Sequence, residues 1–416
     1  MDPQAIKKDF PILDRRVRDD KPLVYLDSAA TAQKPLQVLD AERDFYLRHN
    51  AAAHRGAHQL AEEATEAYES ARQTVAGFLG ARESDIVFTR NATEAINLVA
   101  YALSNASTAR QSGSPLSLGP GDEILVTEME HHANLVPWQQ LAERTGATLR
   151  WASITAEGRL DEASFDEQLG ERTRLVAVTH QSNVLGTINP IASLASRAHA
   201  VGALVLVDAA QSVAHQAVDV NELGADFLVF SAHKMLGPNG IGALWGRHEL
   251  LAQMPPFITG GSMIETVRMD RTTFLPPPQR FEAGVPLAPQ AVGLAAAIGY
   301  LNALGMGAVE RHEAELTRVT LEALAELKGV SVVGPVTTRD RGATVSFTVD
   351  GIHPHDVGQV LDDQGVAVRT GHHCARPICD RYGIPASTRA SFYVYNTTED
   401  VAALIAGIEA AQRFFA

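Results

Sequence analysis

The sequence predicts an α/β protein in which a large domain with a mostly parallel, seven-stranded sheet precedes a smaller α+β domain. Seven short apolar runs lack helical periodicity and predict buried strands, and helical patterns such as 190–201 lie between many of them. This alternation is typical of a parallel sheet that helices cover on both faces. The expected divisions are an N-terminal segment over 1–24 that packs with the small domain, a large domain over 25–295 and a small domain over 296–416.

The elements of the large domain follow one another in a regular order. An amphipathic helix is expected over 61–80. A segment rich in Ser, Gly and Pro over 105–120 predicts a surface loop without chemistry, and three prolines at 276–278 mark a second irregular segment. The predicted strands are Ile86–Thr89, Glu123–Thr127, Thr148–Ile154, Leu175–Thr179, Leu204–Asp208, Phe227–Phe230 and Ile241–Trp245.

The C-terminal part has a different pattern. The charge-free stretch 292–309 is too weakly apolar to span a bilayer and predicts a buried helix that joins the two domains. A long charged helix follows. The remaining expectations are that helix over 310–328, strands near 343–349, 366–369 and 389–395, and a final helix over about 398–414.

The net charge, the N-terminal residues and the cysteine content limit the functions that are expected for this chain. A formal net charge of −14 over 416 residues argues against general affinity for nucleic acid or for an anionic membrane. The N-terminal residues 1–21 have no apolar core, so we expect no signal peptide. The only cysteines, Cys374 and Cys379, suggest no disulfide framework and fit a reducing cytoplasm, and they are too few for a closed zinc site without histidine help.

Two polar residues follow buried strands at the sheet edge where such folds bind ligands. Asp208 ends the apolar run 203–207, and Lys234 closes the segment that begins with Phe227. Taken separately, they would more often be a strand-end aspartate and a surface lysine. Together they suit pyridoxal phosphate, since the amine can form a Schiff base with its aldehyde and the carboxylate can keep its ring nitrogen protonated.

A phosphate site is expected beside this pair. The segment 89–94 follows a strand and opens a helical run, so main-chain N–H groups at Ala92 and the Thr93 hydroxyl form a natural phosphate cup. Such helix caps are common and are weak signals alone. With the acid and amine present, Ser231 and His233 become further expected donors.

Three more polar residues follow strand ends. His131 could stack on the cofactor ring and move protons near neutral pH, although a solvated histidine pair with His132 is the plainer interpretation of an isolated motif. Asn183 and Gln211 could bind the cofactor's phenolate oxygen or the substrate. Turn or helix-capping amides are the alternative.

The segment 369–377 is a second part of the sequence that indicates a functional site. Gly, Pro and polar residues surround Cys374, which predicts an exposed loop, and neighbouring Arg and His favour the reactive thiolate. A catalytic thiol is therefore expected, with Cys379 as a bystander, while a redox pair or half of a metal site remain alternatives. Arg389 is a candidate for binding a substrate carboxylate, although a strand-end arginine is more often part of a surface ion pair.

These motifs together resemble the SufS-type (group II) cysteine desulfurases, which are relatives of the class V aminotransferases with the fold-type I architecture of pyridoxal phosphate enzymes. The resemblance spans about residues 6–414 with the motifs in order. The segments that carry it are 25–30 (YLDSAA), 54–56 (HRG), 129–134 (MEHHAN), 231–234 (SAHK) and 369–374 (RTGHHC).

The resemblance implies a role for each candidate. Lys234 would bind the cofactor covalently and act as base and acid, His131 would stack on its ring, and Cys374 would take sulfur from L-cysteine as a persulfide for iron–sulfur cluster assembly. A homodimer in which each site is completed by the partner is also implied. The remaining assignments are Asp208 on the ring nitrogen, Gln211 on the phenolate oxygen, Ala92, Thr93, Ser231 and His233 at the phosphate, Asn183 and Arg389 on the substrate carboxylate, and Arg55 and Arg369 at the entrance.

This chain departs from the family pattern in two places, at Val285 and in the serine-rich loop over 105–120, which is longer than expected, and His355 indicates a branch within the family. Family members usually carry Thr where this chain has Val285, so one phosphate hydrogen bond from the partner subunit should be missing. His355 resembles the branch that works with a zinc-containing SufU-like acceptor rather than a SufE-like one, although a helix-starting turn capped by Asp356 is the plainer interpretation. The rival functions are a selenocysteine lyase, another eliminating enzyme of the same class, and an assembly scaffold.

Overall fold

The computed structural model describes residues 1–108 and 115–416. Its largest element is a seven-stranded sheet, whose strands we number β1–β7 along the chain. The order across the sheet is β1-β7-β6-β5-β4-β2-β3, with only β7 antiparallel to its neighbours. The strands are Ile86–Thr89 (β1), Glu123–Thr127 (β2), Thr148–Ala152 (β3), Thr173–Thr179 (β4), Leu204–Asp208 (β5), Phe227–Ser231 (β6) and Gly242–Gly246 (β7).

The predicted α/β class and mostly parallel sheet are confirmed. Apolar side chains on each face of the sheet pack under helices, and these two layers form the main cores. The helices of this large domain are Leu36–Asp44, Gln59–Phe78, Ala92–Thr108, Val136–Thr145, Glu162–Gln168, Ile191–Ala200, Ser212–His215, Val220–Leu223, His248–Gln253 and Ala288–Leu304. A hairpin of Ile264–Val267 and Thr272–Phe274 lies apart from the sheet.

A second, antiparallel sheet organises the C-terminal part, which we call the small domain. Its strand order is β8-β9-β11-β10, and a separate apolar core lies beneath it. Its strands are Val330–Val333 (β8), Thr344–Val349 (β9), Arg369–Gly371 (β10) and Ser387–Ser391 (β11), and its helices are Met306–Glu326, Pro354–Asp363, Arg376–Tyr382 and Thr398–Phe415.

The N-terminal segment lies against the small domain. Val24–Tyr25 pairs in parallel with Val366–Ala367, and Arg18 forms an ion pair with Asp362 at 2.5 Å. A short helix, Pro3–Lys7, and the two-residue strands Arg16–Val17 and Lys21–Pro22 precede this contact. The helix Ala288–Leu304 crosses the predicted boundary at residue 295 and packs on helices of the large domain, so the domain limits stay a prediction.

Three sequence expectations need correction. The stretch 292–309 is not one helix, because Ala288–Leu304 and Met306–Glu326 meet at Gly305 with a bend of 75°. Gly305 has a φ of +81°, a conformation that favours glycine. The strand expected over 389–395 is Ser387–Ser391, and the chain then turns, with the Asn396 N–H donating to Tyr393 O.

The expected loop over 105–120 is also different. The helix Ala92–Thr108 takes its first four residues, and Leu116 and Leu118 are buried in the core next to it, so this is not a plain surface loop. Residues 109–114 lie outside the described part. Among the described residues no single helix has the length and apolar character needed to cross a membrane, and only the bent pair at Gly305 passes that test jointly.

Candidate active site

Most of the predicted site residues lie around one cavity at the carboxyl edge of the large sheet. This cavity measures about 210 Å³ and opens between the two domains. Strand β5 ends at Asp208, strand β6 ends at Ser231, and a single turn over Ala232–Lys234 carries the lysine. The predicted residues that line the cavity are Ala92, Thr93, His131, Asn183, Asp208, Gln211, Ser231, His233, Lys234, Arg369, Cys374 and Arg389.

Burial tunes the acid and the amine in opposite directions. Burial raises the pKa of Asp208, and the charge of Lys234 partly offsets that rise. Burial lowers the pKa of Lys234, and the charge of Asp208 again opposes it. Asp208 Oδ1 accepts the Ala210 N–H at 2.9 Å, which fixes the position of one carboxylate oxygen. The site therefore holds a carboxylate and a low-pKa amine in a water-poor place.

The start of the helix Ala92–Thr108 forms the other end of the cavity. The Ala92 N–H donates to Ser231 Oγ at 2.8 Å, and Asn91 Oδ1 caps the first turn by accepting the Glu94 N–H at 2.9 Å. Thr93 and His233 line the same end. Because the Ala92 N–H already donates to Ser231, the expected donation from Ala92 to a phosphate is not free in this arrangement. The donors that this end offers to a phosphate group are the Thr93 and Ser231 hydroxyls and the His233 ring, beside the start of a helix.

His131 is held in one tautomer. Its Nδ1 accepts the Ala133 N–H at 3.0 Å, so the proton of the neutral ring lies on Nε2. Burial first, and then the charge of Lys234, lower its pKa to about 3. A neutral imidazole with an Nε2–H group therefore faces the cavity.

Glu130 anchors this histidine to the sheet. Its Oε1 accepts the Thr179 N–H at 2.9 Å and the Thr127 hydroxyl at 2.7 Å, and its Oε2 accepts Asn134 Nδ2 at 2.6 Å. Burial raises its pKa to about 8. The loop that carries His131 is thus held to the end of strand β2 at Thr127 and to the end of strand β4 at Thr179.

Cys374 lies on an exposed loop, as its sequence neighbourhood predicts. His373 and Cys374 both have positive φ angles, of 51° and 56°, which cost energy in residues other than glycine. Two of the contacts that hold this conformation come from the large domain. The His132 N–H donates to Cys374 O at 2.6 Å, and Asn183 Nδ2 donates to His373 O at 2.7 Å. Cys379 is buried in the next helix, away from solvent.

Arg389 lies at the middle of strand β11, not at its start, and is 2% exposed. Its Nη2 forms an ion pair with Asp27 Oδ1 at 2.9 Å, and its Nη1 donates to Asn183 O at 3.0 Å. Its Nε is buried without a hydrogen-bond partner among the described residues. Arg369 lies 4.0 Å from Asp27, so two guanidinium groups flank one carboxylate.

The residues present fit pyridoxal phosphate. Buried polar atoms normally have partners, yet Arg389 Nε has none within the described residues, and Arg389 lines the cavity. Gln211 lines it too, and its Nε2, which donates to Ala29 O at 2.9 Å, has a second N–H to offer a phenolate oxygen. An amine, a carboxylate and a helix start surround the same space. These are the groups that an aldehyde, a pyridine nitrogen and a phosphate require.

Three predicted residues do not line this cavity of the described chain. Arg55 Nη2 donates to Ser262 Oγ at 2.7 Å on the surface. Val285 is 81% exposed, and His355 is exposed at the start of the helix Pro354–Asp363. The N-terminal cap of that helix is His353, whose Nδ1 accepts the His355 N–H at 3.2 Å, so the expected cap at Asp356 is wrong.

Sequence reasoning gave no role to Asp27, Glu130 and Gln181. Asp27 and Glu130 lie inside segments that carry the family resemblance, so their motifs were a usable signal. Gln181 lines the cavity with both side-chain amide atoms buried and without partners in the described chain, and no pattern in the sequence marks it.

Comparisons with known proteins agree with this geometry. The family model for class-V aminotransferases matches residues 24–404. "Probable cysteine desulfurase 2" of Mycobacterium leprae is 56% identical over 415 residues, covering 100% of this chain and 98% of that protein. "Probable cysteine desulfurase" of Streptomyces coelicolor is 55% identical, with coverage of 100% and 98%.

Solved structures are similar over the whole chain. The apo cysteine desulfurase from Thermococcus onnurineus superposes with a TM-score of 0.92 at 40% identity, covering 99% of this chain and 98% of that one. The cysteine desulfurase CsdA from Escherichia coli, in an S-sulfonic acid form, gives 0.89 at 37% identity, with full coverage of both chains. This chain therefore belongs to the class-V aminotransferase family and, within it, to the cysteine desulfurases, whose cofactor is pyridoxal phosphate.

Proposed function

We propose that this protein converts L-cysteine to L-alanine, receives the sulfur on Cys374 as a persulfide and supplies it for iron–sulfur cluster assembly. The observation that carries the proposal is that Lys234, Asp208 and an exposed thiol, Cys374, line one cavity. A transaminase needs the first two residues and no thiol.

The small-domain side of the cavity binds the substrate carboxylate. Arg389 and Asn183 lie together there, since Arg389 Nη1 donates to Asn183 O at 3.0 Å. A guanidinium group with a free Nε–H and an amide offer donors that match a carboxylate. This binding places the sulfur end of the amino acid toward the Cys374 loop.

Proton transfers fall to Lys234 and His131. Bound pyridoxal phosphate supplies an electron sink for the amino acid, and Asp208 holds a proton on its ring nitrogen. Burial lowers the pKa of Lys234, so its free amine can take the α proton of the substrate and later return protons to carbon. His131 offers its Nε2–H group over the same space.

The sulfur step uses Cys374 as nucleophile. Its thiolate attacks the substrate sulfur, a S–S bond forms and the bond between that sulfur and the β-carbon breaks. The released electron pair stays on the carbon skeleton, which takes up a proton and leaves as alanine. The product on the protein is a persulfide, and no outside oxidant or reductant is required.

A matched pair of variants tests this proposal. Cys374→Ala should still change the cofactor's absorption spectrum on addition of L-cysteine, because binding is intact, yet it should yield little alanine. Cys379→Ala is the control and should behave as wild type, since that sulfur is buried in a helix. Equal losses in both variants would favour a redox pair of cysteines and contradict the proposal.

For the sulfur acceptor, the proposal extends to a zinc-containing SufU-like protein. His355 is exposed, and its Nδ1 lies 3.3 Å from Thr370 Oγ1 on the strand that leads to Cys374. A ring nitrogen held by a hydrogen bond orients the other nitrogen for a metal, so Nε2 is the atom for the partner's zinc. A SufE-like acceptor would have no use for this imidazole.

His355→Ala should leave basal alanine production intact and abolish its stimulation by a zinc-bound SufU-like protein. His353→Ala is the matched control, since it removes the neighbouring imidazole and the helix cap but keeps the proposed ligand. Full stimulation of the His355 variant, or stimulation of the wild type by a SufE-like protein alone, would contradict this assignment.

The proposal also includes a SufS-type homodimer in the cytoplasm. Val285 and Arg55 are exposed and lie outside the chain's own cavity, which is consistent with roles at a partner subunit's site. Size-exclusion chromatography with light scattering tests the dimer. A monomer with full desulfurase activity would contradict it.

A further inference from the structure

A short loop of the large domain is held by the small domain at every one of its carbonyl groups. This loop, residues 183–186, follows strand β4. Its four acceptors and their donors are Asn183 O with Arg389 Nη1 at 3.0 Å, Val184 O with Ser346 Oγ at 2.7 Å, Leu185 O with Arg341 Nη1 at 2.5 Å, and Gly186 O with the Gly342 N–H at 2.9 Å.

Arg341 is the unusual member of this set. It is only 5% exposed and forms no ion pair within the described residues. Burial, and next the charge of Arg159, lower its pKa to about 10. Its Nη1 reaches Leu185 O in the large domain, and its Nη2 donates to Thr344 O at 2.9 Å in the small domain. A buried charge that lacks a carboxylate is costly, so two carbonyls from opposite domains must stabilise it.

The contact between the loop and the small domain is tightest at Gly186. Gly186 has a φ of +72°, and a Cβ built on it would lie 2.8 Å from Thr344 O and 3.1 Å from Gly342 O. Main chain thus packs directly on main chain, with a glycine where no side chain fits. The loop cannot shift relative to strand β9 without breaking these hydrogen bonds.

The same loop reaches both the substrate side and the thiol side of the active site. Asn183 lines the cavity, and its Nδ2 donates to His373 O at 2.7 Å, one residue before Cys374. A displacement of the loop would therefore move Asn183 and release one of the contacts that hold the strained Cys374 loop.

We propose that Arg341 is a positioning residue that makes the 183–186 loop move with the small domain, so that Asn183 stays aligned with Arg389 and with the Cys374 loop. The proposal rests on the substrate role given to Asn183 under the proposed function. Arg341 itself does not line the active-site cavity of the described chain.

Amide hydrogen exchange of the holoenzyme, followed by mass spectrometry, tests the tether directly. In Arg341→Met, exchange should rise in residues 183–188 and 372–376 and at the Gly342 and His132 amides that donate to these two segments, and it should stay unchanged elsewhere. Arg159→Met is the matched control. Arg159 also crosses the domain boundary, donating to Arg339 O and Asp340 O, but it does not touch the loop. A uniform rise, or the same rise in both variants, would overturn the proposal.

Kinetics give the second readout. The KM for L-cysteine should rise about tenfold in Arg341→Met, the factor that a hydrogen bond to a charged group carries, with a smaller change in kcat. Ser346→Ala removes one donor of the same set without removing a charge. Ser346→Ala should also raise KM more than it changes kcat, but by a smaller factor. It replaces Arg341→Met in the test if the Arg341 variant fails to fold.

A double-mutant comparison separates positioning from general damage. In an Asn183→Ala background, Arg341→Met should add little further to KM, since the group that it positions is gone. Fully additive effects, or an unchanged KM in both single variants, would overturn the proposal. A wild-type protein that forms no persulfide would instead refute the proposed function, and the exchange data would still decide whether the tether exists.

Discussion

Removal of the Asp27 carboxylate should destabilise the fold strongly, because it leaves the buried charge of Arg389 without the carboxylate of its ion pair. Arg389 is 2% exposed and Asp27 is 21% exposed, and their ion pair measures 2.9 Å. Breaking a buried pair by removing one partner typically costs about 3–5 kcal/mol. Since Asp27 is partly exposed, we expect the lower end, about 3 kcal/mol, or roughly a hundredfold in the folding equilibrium.

Urea unfolding followed by circular dichroism measures this loss in Asp27→Ala. The free energy of unfolding of Asp27→Asn should lie between those of Asp27→Ala and wild type, since asparagine keeps one hydrogen-bond acceptor but no charge. Glu322→Ala is a matched control. Its ion pair with Arg318 is shorter, at 2.6 Å, but both side chains are exposed. The free energy of unfolding of Glu322→Ala should therefore stay near that of wild type. Equal effects at the two sites would refute the argument that burial, and not distance, sets the loss.

Further predictions concern the cofactor and pH. Lys234→Ala should lose the borohydride-reducible covalent link to pyridoxal phosphate, and a link that persists would exclude Lys234 as the attachment site. Val285→Thr should slow cofactor loss on dialysis, because in the proposed homodimer a new hydroxyl can donate a hydrogen bond worth about 1.5–3 kcal/mol to the phosphate in the other subunit's site; an unchanged rate would mean that another donor fills the role. Burial lowers the pKa of His180 to about 4, so its contribution to stability is complete above about pH 6.5 and is lost as pH falls toward 4. That loss is about 2 kcal/mol at pH 5, and His180→Gln should flatten the pH dependence of urea unfolding, whereas an identical slope would contradict it.

The large sheet was predictable because its strands are buried on both faces. Strands β5 and β6 are continuous apolar runs that end in polar residues, so the sequence itself marks where Asp208 and Ser231 lie. The exposed position of Cys374 followed in the same way from its polar, Gly- and Pro-rich neighbours. Local composition was sufficient for these features.

Pairings between distant residues were not predictable. Asp27 meets Arg389 across 362 positions, and Glu130 meets Thr179 across 49, and nothing local records such contacts. The break at Gly305 was missed for a similar reason, since a glycine inside an apolar stretch is compatible with one continuous helix. The tertiary packing of each domain decides where such a helix bends.

The central claim is that Cys374 accepts sulfur from L-cysteine. The most direct test is one incubation of the purified holoenzyme with L-cysteine, followed by alanine analysis and peptide mass spectrometry without reductant. We predict one alanine for each sulfur atom found on Cys374 in the first turnover, with Cys379 unmodified. Alanine without added sulfur on Cys374, or sulfide released with pyruvate, would contradict the account.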